Sequence, residues 1–292
     1  MSHGLVLVGV DGSPGAVAAL DWAAAEAQRR GAPLEILYAE TPTPPVVGLE
    51  PAPVASLPEG PPPRFLEEAL QRVRGAWPDL EATASPVVGG PAASLLARSA
   101  DAELVVVGAH GRSMIARMLL GSVSHHVATH APCSAVVVRG RALIGDEPVA
   151  VGIDDSQGAR LALEAAFEEA SLRGVPLLVF HAWQDLPATG YGVWAPPPVM
   201  VDELRAEAED LIESVLSGWP EKYPDVELRR RVLHAHPVTA VVEESEQAQL
   251  VVLGAHGRGQ FAGMTFGSVP SAAVREATCP VMVVRPPRPT SA

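Results

Sequence analysis

The chain repeats itself once, and a repeat of this length must be read as two copies of one domain before any other feature is weighed. Val6-Leu7-Val8-Gly9-Val10-Asp11 returns as Val149-Ala150-Val151-Gly152-Ile153-Asp154, an offset of 143 that Arg30-Gly31-Ala32-Pro33 and Arg173-Gly174-Val175-Pro176 share. Val107-Gly108-Ala109-His110-Gly111-Arg112 returns as Leu253-Gly254-Ala255-His256-Gly257-Arg258 at an offset of 146. Gly121-Ser122-Val123 with Gly267-Ser268-Val269, and Cys133 with Cys279, keep that offset. The 292 residues suffice for two ordinary cores, which we place at 1–141 and 146–288.

Each copy alternates strand and helix signals. Residues 5–10 form an unbroken apolar run, as a parallel strand buried on both faces requires. Ser13 and Pro14 read as an N-cap and first helical position, Val17, Leu20, Ala24 and Ala27 as the apolar stripe of the helix, and Gly31 and Pro33 as its stop. Further strands are predicted at 34–39, 81–88, 104–108 and 135–139, with helices at 64–76, 91–100 and 122–130. This order predicts an open parallel sheet with helices on both faces in each copy. The last strands, 135–139 and 281–285, are predicted sheet edges able to pair. Residues 41–63 hold nine prolines and 184–198 are their counterpart; a plain excursion and a lid over a ligand are both open readings.

Composition narrows the function. With 21 basic and 34 acidic residues the net charge is −13, which argues against sequence-independent binding to nucleic acid or an anionic membrane. No stretch approaches the roughly 18 apolar residues of a membrane span, no basic targeting region precedes the first apolar run, and a cytoplasmic location is expected. Two cysteines exclude a disulfide scaffold, and both precede a buried strand, which favours packing over redox chemistry. Lys222 is the only lysine, so no phosphate-gripping lysine is to be had.

The chemically informative pattern is Gly108-x2-Gly111-x9-Gly121-Ser122, repeated as Gly254-x2-Gly257-x9-Gly267-Ser268. Each lies after a buried strand and before a helix, where residues lacking Cβ allow close backbone approach to a ligand. Main-chain N–H groups and the helix N-terminus then favour an anion, and open parallel sheets bind ligands beyond their carboxyl ends. Asp11 and Asp154, ending the first strands, are placed to accept hydrogen bonds from ribose hydroxyls. Together these features describe a nucleotide pocket; tight turns alone are the competing explanation. Neither a Walker A loop nor a G-x-G-x-x-G fingerprint is present.

On these motifs, together with A-D-A-E-L-V-V-V-G-A-H-G-R before the loop, G-S-V-S after it and A-P-C-S-A-V-V-V-R at the end of the copy, the chain resembles the universal stress protein family in its tandem-domain, ATP-binding form. The resemblance implies two Rossmann-like (adenine nucleotide alpha hydrolase-like) domains, each a five-stranded parallel sheet of order 3-2-1-4-5. It implies adenine against Val10 and Ala39, ribose on Asp11, and phosphates on Gly108, Gly111, Gly121, Ser122, Val123 and Ser124. In the second copy the matching positions are Ile153, Ala182, Asp154, Gly254, Gly257, Gly267, Ser268 and Val269. Pro270 replaces the serine found at Ser124, removing an N–H and a hydroxyl beside the phosphates. Arg112 and Arg258 are the nearest fixed positive charges, open to a phosphate contact or to solvation as loop residues. Main-chain dipoles, serine hydroxyls and Mg2+ are left to offset a triphosphate. The resemblance further implies that the last strands join the two copies and that chains form a homodimer.

Other candidates are weaker. His126 and His130 stand four apart on a helix but lack a convincing third metal ligand, and His110 and His256 could contact a ligand or shape the turn. Glu67-Glu68 and Glu243-Glu244 read as solvated helix faces, and Trp22, Trp77, Trp183 and Trp219 as core or interface residues. The expectation is an ATP-binding stress regulator with little or no turnover, since no general base, arginine finger or Walker B acid can be assigned. A slow ATPase and a nucleotide-independent interaction module are the alternatives. An ATP-cleaving relative would carry an S-G-G-x-D-S motif, which is missing.

Overall fold

The computed structural model describes residues 4–41, 61–111, 120–140, 145–184, 198–257 and 266–286. Contacts group residues 1–142 and 280–292 into one compact unit and 143–279 into a second. The elements run β1 (Leu5–Gly9), α1 (Pro14–Arg30), β2 (Leu34–Glu40), α2 (Arg64–Ala76), β3 (Ala82–Val88), α3 (Pro91–Arg98), β4 (Ala102–Gly108), α4 (Ser122–His130) and β5 (Ser134–Val138). They continue β6 (Val149–Gly152), α5 (Gln157–Arg173), β7 (Leu177–Trp183), α6 (Pro198–Leu216), α7 (Trp219–Lys222), β8 (Leu228–His234), α8 (Pro237–Ser245), β9 (Leu250–Gly254), α9 (Ser268–Glu276) and β10 (Val281–Val284).

In the first unit the order is β3-β2-β1-β4-β5, all parallel, with Val8 opposite Ile36 on one side and Val106 on the other. The second unit repeats it as β8-β7-β6-β9. β10 pairs antiparallel with β5, Met282 opposite Val136. The sequence repeat therefore ends with β10, whereas the second contact unit ends before it, because β10 is hydrogen-bonded along β5.

The sequence explains these elements locally. Val6, Leu7 and Val8 are fully buried, as a strand covered on both faces demands. Ser13 Oγ accepts from the Ala16 N–H at 3.2 Å, and Ser156 Oγ from the Ala159 N–H at 3.1 Å, so α1 and α5 begin at equivalent serines. Both helices end at a left-handed glycine, Gly31 at φ 59° and Gly174 at φ 66°. The buried face of α1 is Ala16, Ala19, Leu20, Ala23, Ala24 and Ala27. Val17, expected on that stripe, is 37% exposed: the wide alanine face turns one residue away from it and lets the helix lie close on the sheet.

Two polar features were not foreseen. Glu26 is fully buried in α1, bonded by Arg30 Nε at 2.6 Å, and its repeat partner Glu169 is buried in α5 beside Arg173 at 2.9 Å. Arg30 also reaches Glu103 at 2.6 Å. Glu244, expected on a solvated face, is instead buried and held by Arg231 at 2.7 and 2.9 Å, because β8 projects that arginine across α8. Glu67 and Glu68 are exposed as expected. Trp219 packs face to face on Phe167, ring centroids 5.2 Å apart, in a cluster with Tyr223. Among the described residues, no helix is long and apolar enough to cross a membrane.

Two outcomes follow from this packing. Replacing Glu26 by alanine removes the buried carboxylate that Arg30 meets within α1; a loss of about 3 kcal/mol is expected in urea denaturation, with the double change Glu26→Leu, Arg30→Met costing less. Burial pushes the Cys133 thiol up to about 11, against a smaller opposing pull from Arg285, and the Cys279 thiol up to about 12. Both thiols should resist a disulfide reagent at pH 8 in the native protein and react at once in denaturant. Since folding raises both values, the contribution is intact below the unfolded thiol value and stability falls as pH rises above it, as an alkaline series of denaturation curves would show.

Candidate functional site

The two glycine loops meet the starts of α1 and α5 with almost no space to spare. A Cβ on Gly108 would lie 2.4 Å from the Gly15 carbonyl oxygen, and one on Gly15 would lie 2.5 Å from that of His110. The repeat is faithful: a Cβ on Gly254 would lie 2.6 Å from the Gly158 carbonyl, and one on Gly158 would lie 2.4 Å from that of His256. Absence of side chains at Gly108 and Gly254 is thus required first by neighbouring backbone, before any ligand, which corrects the cause the sequence suggested. Gly15 and Gly158 were missed, although a glycine recurring in the first turn of both helices, where it is otherwise unfavourable, was a legible signal.

The aspartates are fixed by the same junction. Asp11 Oδ1 accepts from the Ser13 N–H at 2.9 Å, and Asp154 Oδ1 from the Ser156 N–H at 3.0 Å. Their second oxygens face the next glycine of each loop, where a Cβ on Gly111 or Gly257 would stand 2.7 or 2.8 Å away. The Ser13 hydroxyl donates to the His110 carbonyl at 3.4 Å, tying the α1 cap to the loop. After the undescribed part of the loop the chain returns in register: the Gly121 N–H donates to Ala109 O at 2.8 Å, and the Gly267 N–H to Ala255 O at 2.9 Å. Ser124 Oγ donates to Gly108 O at 2.5 Å. Neither Gly121 nor Gly267 can cap its helix with a side chain, so the first N–H groups of α4 and α9 carry no such bond.

A cavity of about 560 Å³ opens beyond the carboxyl ends of β1 and β4. Val10, Asp11, Ala39, Gly108, Gly111, Gly121, Ser122, Val123 and Ser124 all line it. The equivalent cavity of the second unit, about 430 Å³, is lined by Ile153, Asp154, Ala182, Gly254, Gly257, Gly267, Ser268 and Val269. Arg112 and Arg258, and the proline-rich stretches 42–60 and 185–197, lie outside the described residues. His110 and His256 line the cavities too, and His110 Nε2 is buried with no hydrogen-bond partner among the described residues. Tyr38 with Leu95 in one cavity, and His181 with Val241 in the other, were not foreseen as lining residues; they come from β2 and α3, and from β7 and α8. His181 Nδ1–H donates to Ile153 O at 2.7 Å.

The charge pattern is informative. No lysine or arginine is among the described residues lining either cavity, so within them an anion would meet main-chain N–H groups, helix ends and hydroxyls. Among the described residues no group of three His, Cys, Asp or Glu side chains could hold a metal. The His126 and His130 rings are tilted 33° to each other with centroids 4.5 Å apart, His130 Nδ1 lying 3.1 Å from His126 O. The donor set fits magnesium carried in on phosphate oxygens, with Asp11 as a carboxylate at hand, rather than an ion held by protein alone.

The backbone contact yields a prediction. Gly108→Ala should force α1 and the loop apart, lowering the thermal midpoint of the first unit by several degrees and loosening the pocket. Gly31→Ala, at a left-handed cap remote from the pocket, should cost about 1 kcal/mol and leave ligand affinity unchanged in calorimetry.

Comparison with known proteins follows the duplication. The model of the universal stress protein family matches residues 4–139 and again 147–285. A universal stress protein of Mycolicibacterium smegmatis is 37% identical over 299 residues, covering 96% of this chain and 97% of its own. One from Mycobacterium tuberculosis is 38% identical over 294 residues, covering 97% of each. The crystal structure of a universal stress protein from Archaeoglobus fulgidus has a TM-score of 0.62 over 97% of this chain and 96% of its own at 19% identity, a likeness of fold. Matched twice along its length and related almost end to end to such proteins, the chain belongs to the universal stress protein family.

Proposed function

We infer that each unit binds an adenine nucleotide, with ATP and Mg2+ in the first, and that occupancy makes the protein a nucleotide-dependent stress regulator with little or no turnover. Adenine would rest between Val10 and Ala39, ribose on Asp11, and the phosphates along Gly108, Gly111, Gly121, Ser122, Val123 and Ser124. The corresponding set in the second unit is Ile153, Ala182, Asp154, Gly254, Gly257, Gly267, Ser268 and Val269. Arg112 and Arg258, following the second loop glycine, would add side-chain cations. The chain would act in the cytoplasm as a homodimer, a state light scattering can measure.

One observation carries this reading: in both units the predicted residues outside the undescribed loops line a single cavity at the sheet's carboxyl end, with no lysine or arginine among its described lining residues. Such a site suits a ligand whose apolar ring lies on the sheet side and whose anion lies on main-chain donors. Magnesium, when bound, supplies charge neutralisation of the phosphates. The protein's residues position the nucleotide: Asp11 is oriented by the Ser13 N–H, and the loop by the Ser13 and Ser124 hydroxyls. Slow hydrolysis is a second reading, favoured by His110, whose buried Nε2 lies beside the cavity without a protein partner.

The test is direct. Protein denatured by heat should release adenine nucleotide, and calorimetry with ATP and magnesium should show association with the stripped protein. Release of ADP after loading with ATP would support hydrolysis, and His110→Ala would then abolish it. A silent titration with every adenine nucleotide would reduce the protein to a nucleotide-independent interaction module.

A further inference from the structure

The two pockets share a plan and differ where the phosphates would sit. In an α-helix the N–H groups of the first three residues make no bond within the ladder. The first ladder bonds here come from His125 N–H to Gly121 O and from Ser271 N–H to Gly267 O. Three N–H groups therefore precede the ladder in α4, those of Ser122, Val123 and Ser124. In α9 only Ser268 and Val269 have one, because the third residue is Pro270. Proline costs the helix nothing at this position, since the N–H it lacks has no helical partner. What it removes is a donor to whatever occupies the cavity.

Other differences run the same way. Ser124 is buried, and its hydroxyl holds the Gly108 carbonyl at 2.5 Å; Pro270, also buried and lining its own cavity, offers no hydroxyl to Gly254. Phe266, beside Gly267, lines the second cavity, whereas Leu120 at the equivalent place does not line the first. On the opposite wall Phe180 replaces Leu37. The second cavity is smaller, about 430 against 560 Å³. The first pocket's extra carboxylate, Glu40, lies on β2, across β1 from the β4 loop, on the base side rather than the phosphate side. Among the described residues the second pocket thus has fewer anion donors and more apolar wall, with Asp154 standing where the first has Asp11.

We propose that the second pocket is selective for an adenosine monophosphate, while the first takes the triphosphate, so that one chain holds both ligands and responds to their ratio. This rests on the nucleotide-binding reading above. It assigns different occupants to two sites that the repeat alone would make equal.

The experiment uses the full chain, stripped of nucleotide, in magnesium buffer, with radiolabelled ATP and AMP in equilibrium dialysis and calorimetry. With both ligands present the expected stoichiometry is one ATP and one AMP per chain, AMP failing to displace the tight ATP. Pro270→Ser should raise the second pocket's preference for ATP over AMP about tenfold. Ser124→Pro should lower that of the first pocket by a similar factor. Circular dichroism checks that each variant folds, and should one fail to fold, the other carries the test alone. Two ATP per chain of equal affinity, displaced equally by AMP, would overturn the assignment while leaving nucleotide binding intact. So would folded variants whose ATP-to-AMP preference matches the parent protein. Absence of binding by either ligand would instead remove the nucleotide reading, and this one with it.

Discussion

The fold's functional edge depends on backbone meeting backbone without a side chain between. Where Gly108 crosses Gly15, and Gly254 crosses Gly158, the end of β4 or β9 lies against the first turn of α1 or α5 more closely than a Cβ allows. That contact sets the height of the loop above the sheet. It also places the aspartate at the end of the first strand, whose carboxylate is already bonded to the N–H two residues on. A binding site made of main-chain donors can be no more exact than the chain positions that carry them. The interlock is therefore a matter of preorganisation as much as of stability.

Much of this was legible in the residues. Continuous apolar runs marked parallel strands because both faces are covered, and Ser13-Pro14 and Gly31 marked the limits of α1 because caps and left-handed ends have strong chemical preferences. The shared offsets made each reading count twice. What escaped were features set by three-dimensional neighbours. Val17 fitted the helical period, but an alanine-rich face offered a closer fit to the sheet. Glu244 looked solvated until β8 brought Arg231 to it. Gly15 was not singled out because its reason lies in the His110 backbone, 95 positions on. The loop glycines stood out by their spacing, but the backbone contacts that exclude a Cβ at Gly108 and Gly254 are something no spacing contains. The second contact unit stops short of its own repeat because pairing, not sequence order, decides where β10 belongs.

Buried ion pairs recur in the same spirit. Glu26 with Arg30 and Glu169 with Arg173 occupy one turn near the end of the first helix of each repeat, in otherwise alanine-rich surfaces. Such pairs contribute little net stability compared with apolar side chains of similar volume, but they penalise any helix rotation that separates them. A face of alanines could slide or turn on a sheet at small cost. One charged pair per helix makes the observed seating the one in which both ions are satisfied.

The antiparallel seam between β5 and β10 has a consequence for how the molecule is made. During synthesis β5 emerges about 140 residues ahead of the strand that will cover its edge. Through that interval a nascent first repeat carries an open row of amides and carbonyls along Ser134–Val138, the kind of edge to which other chains attach. Closure waits until β10 has left the ribosome. A chain that stops early, or is clipped before Val281, would keep that edge available to its neighbours.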